Sequence, residues 1–177
     1  QWVAQLKAGK LSLVRQDRKR NSPVTDAATE DALQQTLADR LARVSEGEST
    51  LGAAMGFGDE ELLTMFEQGE QLMTEGKIEQ AHRVFGGLIA LEPRVPLFHL
   101  AAATAAELLT LKRSARRHFD DAVRCAEKLD ADLLAASLLR RSRFLFVQED
   151  FDGAREDVVR AVSLTVAEWP QAERDQA

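Results

Sequence analysis

The sequence predicts an all-α protein: about three helix–turn–helix repeats stacked into a right-handed superhelix, preceded by one separate helix. Three observations predict it. Ala, Leu, Glu, Arg and Gln dominate the composition, and all are good helix formers. Gly (10) and Pro (4) are too few for the many turns of an all-β chain, and Tyr is absent. Apolar residues recur close to a 3.6 period, and one spacing of landmarks returns after a fixed interval. The 177 residues are enough for one domain with a real core.

Residues 1–23 read as a basic arm. "KLSLVRQ" alternates weakly, as a short strand would, and "QDRKRNSP" is a polar break closed by Pro23. A helix is expected over residues 25–45, capped by Thr25 or Asp26. Its apolar positions are Ala28, Ala32, Leu33, Leu37, Leu41 and Val44, with acids in the first turns and Arg40 and Arg43 near the end. Residues 46–58, "EGESTLGAAMGFG", contain four glycines and read as a linker. The main body spans residues 59–168. Its first helix, "DEELLTMFEQGEQLMTEG", opens on acids and ends at Gly76, a residue suited to a left-handed cap. The next, "KIEQAHRVFGGLIALEP", is stopped by Pro93. Residues 169–177 form a tail.

Self-similarity sets the architecture. Ala81, followed by Phe85 and Leu88, returns as Ala115, Phe119 and Ala122 after a shift of 34 residues. A looser copy, Ala154, Val158 and Ala161, follows after 39 more, the "KLDAD" segment accounting for the five extra residues. Thirty-four residues is the period of the tetratricopeptide repeat (TPR). In that register the small residue of each first helix falls on Gly69, Ala103 and Ser142, where two helices cross closely and bulk would part them. The second repeat lacks the turn glycine and the terminal proline.

Charge and motifs exclude several classes. Residues 1–20 hold six basic residues against Asp17, a local +5, so the rest of a chain of formal charge −6 carries −11. An acidic body argues against nucleic acid as the main partner. No apolar run approaches the ~20 residues of a membrane span. No secretory signal is visible, although the chain opens on Gln1, which leaves a removed leader open. Cys125, the single cysteine, excludes an intrachain disulfide and reads as a small buried residue. His82, His99 and His118 have no HExxH or carboxylate–His spacing. A pair of His82 and His118 across stacked repeats is conceivable, but the spacing favours ordinary interhelix or surface histidines, so no metal is expected. Glu60/Glu61 and Asp120/Asp121 fit helix starts and solvated faces. Gly86/Gly87 lack the strand–loop–helix context of a phosphate cradle. No nucleophile stands beside a base, so neither an enzyme nor a cofactor is expected. The basic cluster Lys112, Arg113, Arg116, Arg117 and Arg124 is read as pairing with the acids of the first repeat, Glu67, Glu70, Glu75 and Glu79.

In stacked repeats the first helix of each pair lines the concave face. The register places Leu63, Phe66, Glu70 and Met73 there in the first repeat. Leu97, Leu100, Thr104 and Leu108 follow in the second, and Leu139, Arg143 and Phe146 in the third. This reads as an apolar groove for an extended peptide or amphipathic helix, with Glu70, Thr104 and Arg143 fixing polarity.

The run G-K-x-E-x-A-H-x-V-F-x-x-L-x-x-L, carried by Gly76, Lys77, Glu79, Ala81, His82, Val84, Phe85, Leu88 and Leu91, resembles the first repeat of class II chaperones of bacterial type III secretion. The resemblance covers about two-thirds of the chain and is specific mainly over residues 59–103. It implies a small, acidic, three-TPR protein that holds a translocator in the cytoplasm before export, gripping an N-terminal segment of that hydrophobic client. It also implies a homodimer formed through the N-terminal helix. The sequence departs from the family in the five-residue insertion, in Arg140, Arg141 and Arg143, and in the basic arm. The alternative is a TPR scaffold within a larger assembly, with the basic arm as its contact.

Overall fold

The computed structural model describes residues 30–167. Within them lie eight helices: α1 (Glu30–Ser45), α2 (Leu51–Met55), α3 (Asp59–Thr74), α4 (Ile78–Leu91), α5 (Pro96–Leu108), α6 (Lys112–Ala126), α7 (Ala131–Val147) and α8 (Phe151–Ala167). There is no strand among the described residues. The basic arm, the tail at residues 169–177 and the Thr25/Asp26 cap lie outside them.

Helices α3–α8 form three antiparallel hairpins, α3/α4, α5/α6 and α7/α8, each packed on the next. First helices touch first helices, α3 on α5 and α5 on α7, as the repeat register requires. The crossing within the first hairpin is tight. A Cβ on Gly69 would fall 2.8 Å from Cζ of Phe85, so any larger residue must displace that ring. The equivalent Ala103 and Ser142 are likewise buried.

The three hairpin turns share one backbone solution. Gly76, Thr110 and Glu149 all take positive φ (74°, 58° and 64°). The amide after each donates back to the carbonyl five residues earlier: Lys77 to Leu72, Leu111 to Ala106, Asp150 to Leu145. The second and third repeats thus keep the left-handed turn without glycine, at a cost of about 1–2 kcal/mol each.

The five extra residues do not loop out. Helix α6 (15 residues) exceeds α4 (14) by one, and α7 (17) exceeds α5 (13) by four, about one added turn. Asp130 starts the longer α7, its carboxylate accepting from the amides of Asp132 and Leu133 at 2.9 and 3.1 Å.

The segment expected as a linker carries α2. Thr50 caps it, accepting from the Ala53 amide at 3.2 Å, and left-handed Gly56 ends it. Gly52 lies against α4, where a Cβ would stand 3.2 Å from the Leu91 carbonyl, and the Thr50 hydroxyl donates to the buried Glu92. Helix α1 meets only α2 among the described helices, and Leu41 on it is exposed.

Two departures of the sequence from the repeat pattern are structural. Arg141 donates to both oxygens of the buried Asp157 at 2.8 and 2.7 Å and to Asp120 at 3.0 Å, tying α7 to α8 and α6. Those bonds, Asp157 foremost, hold the guanidinium proton above even the usual arginine range. Arg143 donates to Glu107 at 2.8 Å, joining the second and third repeats. Two members of the basic cluster pair differently from the expectation. Arg116 reaches forward to Asp150 of the third repeat at 3.1 Å, and Arg124 pairs with Asp121 on its own helix at 2.7 Å. Glu75 is engaged by Lys77 at 2.8 Å and by Gln71, and these bonds lower its carboxyl below the usual range.

Candidate functional site

Helices α3, α5 and α7 form one wall, and the candidate groove residues distribute along it unequally. Phe66, Leu100 and Leu139 occupy the same repeat position. Phe66 (1% exposed) packs against the rings of Phe85 and Phe98 at 5.7 and 5.9 Å, and Leu100 (5%) lies in the core with Phe144 and Leu145. Both are core residues, which corrects their assignment to an open groove: the first helix of the next repeat covers them. No described helix follows the third repeat, and Leu139 there is 49% exposed. The same rule buries Phe85 and Phe119 and leaves Val158 open.

Leu63, Met73 and Leu97 are half-buried, Met73 and Leu97 packing on the first core, and Glu70 is exposed. Thr104 spends its hydroxyl on the Leu100 carbonyl at 2.9 Å. Leu108 ends α5 and Phe146 lies in the last turn of α7; they are 58% and 62% exposed. Phe146 meets the exposed Phe151 edge to face at 5.4 Å, and Val147 beside it is also exposed. Arg143 is already paired with Glu107, a residue the sequence reading passed over although a 34-residue step from Met73 lands on it. The wall is therefore closed at the first repeat and apolar and open toward the third.

Other candidate chemistry falls elsewhere. Gly86 and Gly87 lie inside α4, not in a phosphate-binding loop. The three histidines converge between the first two repeats: the His118 ring stands 5.9 Å from His99 and 6.3 Å from His82. Burial, aided by His99, Arg117 and His82, pushes the His118 pKa down to about 4. The Cys125 thiol donates weakly to the Pro93 carbonyl at 3.6 Å, and burial raises its pKa. No described helix is long and apolar enough to cross a membrane.

No protein-family model matches the chain, and no curated protein matches it. Solved structures do. The Yersinia enterocolitica type III secretion translocator chaperone SycD superposes with a TM-score of 0.60 at 17% identity, over 70% of this chain and 87% of that one. A chain of the CopN–Scc3 complex superposes with a TM-score of 0.59 at 13% identity, over 90% of this chain and 87% of that one. The chain has the fold of these proteins, an all-α stack of TPR-like hairpins.

Proposed function

We propose that this protein is a non-enzymatic binding module, a secretion chaperone that holds an extended apolar segment of a client on the wall formed by α3, α5 and α7. The observation that carries the reading is the exposed apolar group Leu108, Leu139 and Phe146 on first helices, with the Glu107–Arg143 pair joining the same two repeats. Its fold is shared with a translocator chaperone. Apolar side chains of a client would fill the open end of the wall, and the polar pair would set strand direction. A hydrophobic translocator held in the cytoplasm is the client the reading favours. Dimerisation through α1 belongs to the same reading, supported by its sparse packing among the described residues and by the exposed Leu41. The test is titration of a fluorescent apolar translocator peptide. Leu139→Glu with Phe146→Glu changes exposed residues, so the fold should survive. Affinity should fall at least ~30-fold, about 2 kcal/mol. Unchanged affinity would sink the proposal.

A further inference from the structure

Three histidines and an aspartate from three helices meet between the first two repeats. His82 comes from α4, His99 from α5, and His118 and Asp121 from α6. One ligand atom from each of His99, His118 and Asp121 lies within 4.8 Å of the others.

The hydrogen bonding leaves His99 with a lone pair to spare and two further imidazole nitrogens without a partner. His99 Nε2 stands 2.9 Å from the Pro93 carbonyl, an acceptor only, so this nitrogen carries the proton and Nδ1 is left with its lone pair. That Nδ1 is buried and unpartnered, on a residue 5% exposed. His118 Nδ1, on a residue 8% exposed, and His82 Nε2 are also buried without a partner. Leaving such groups unsatisfied costs free energy, and the two at His99 and His118 call for a common partner. A backbone carbonyl orienting a ligating imidazole through its other nitrogen is a recurrent feature of metal sites.

We propose that His99, His118 and Asp121 bind a divalent first-row transition-metal ion, with Zn²⁺ as the natural candidate; the His82 ring, 6.3 Å from that of His118, stands next to this set and outside it. Imidazole with one carboxylate suits Zn²⁺ and its neighbours rather than Mg²⁺ or Ca²⁺. Metal–ligand bonds of about 2.0–2.2 Å require the donors to draw in to roughly 3.5 Å of one another, a contraction supplied by side-chain rotation. Asp121 keeps a second oxygen while Arg124 holds Oδ1 at 2.7 Å. Arg117 and Arg124 oppose the ion's charge, so binding is weaker than at an all-neutral site. The bound ion would pin the two helices of the second repeat, α5 and α6, to each other.

The experiment uses the chain without a polyhistidine tag, stripped with chelator and titrated with Zn²⁺ alone. One ion per chain is expected, with a rise in thermal midpoint, and Co²⁺ should give the visible absorption of a low-coordinate site. His118→Gln and Asp121→Asn should each weaken binding at least ~10-fold. Wild-type binding no tighter than that of the His82→Gln/His99→Gln/His118→Gln variant would overturn the proposal. Should the variants fail to fold, the imidazole ¹⁵N resonances of the wild-type chain decide: large shifts at stoichiometric Zn²⁺ support the site, and unmoved resonances refute it.

Discussion

Replacing Arg141 with leucine removes the guanidinium that bonds both oxygens of Asp157. The Asp157 side chain is 5% exposed, so its charge would be stranded in the interior. Breaking a buried pair from one side costs about 3–5 kcal/mol. The Asp120 contact adds less than ~1 kcal/mol, because that carboxylate is partly solvated. The expected loss is therefore about 4 kcal/mol, a large part of the ~5–15 kcal/mol that holds a domain of this kind together. Urea unfolding followed by circular dichroism measures it. With a slope near ~2 kcal/mol/M, the midpoint should fall by about 2 M. Arg141→Leu combined with Asp157→Leu removes both charges and should recover most of the loss. Arg141→Lys, which keeps the charge but not the paired geometry, should fall between. A loss under ~1 kcal/mol for Arg141→Leu, or no recovery in the double variant, would refute the claim that this pair locks the third repeat.

Three further outcomes are expected. Thr110→Gly relieves a left-handed residue (φ 58°) and should raise stability by about 1 kcal/mol after glycine's own entropic cost, read as a higher thermal midpoint; a lower one contradicts the turn account. Gly69→Ala drives a methyl into the Phe85 ring and should cost about 1 kcal/mol net of alanine's better helix propensity, and less in a Phe85→Leu background where the ring is gone. In chelator, the metal-free protein should lose stability as pH falls from about 6.5 to about 4. Over that window the unfolded chain protonates His118, while the folded chain, with burial, His99, Arg117 and His82 against the charge and only Asp121 for it, does not. The shift corresponds to ~3 kcal/mol at most, or about 2 kcal/mol allowing for partial solvation, measured as the difference in pH profile between wild type and His118→Gln.

What was legible in the sequence was what repeats. The step from Ala81/Phe85 to Ala115/Phe119 located the hairpins, and the small residues at Gly69, Ala103 and Ser142 marked their crossings. The turn was legible only at Gly76, because Thr110 and Glu149 adopt the same conformation against their preference, held by the helices on either side. The linker helix α2 was hidden because its glycines read as flexibility, whereas Gly52 is there for close approach to α4. The candidate wall was read one repeat at a time. Burial at Phe66 and Leu100 depends on the neighbouring repeat, which no single-repeat pattern contains. The repeat register brought His82 and His118 together, but His99 joins them only through the tertiary packing of α4, α5 and α6, which local spacing does not carry.

The central claim is that a client lies along the first helices and not on the second. Photo-crosslinking residues placed at Leu139 and Phe146, and separately at the exposed Gln80 and Arg83 of α4, test it most directly. With an apolar translocator peptide, adducts are expected from positions 139 and 146 and none from 80 and 83. Adducts from the α4 positions, or none from α7, would contradict the account.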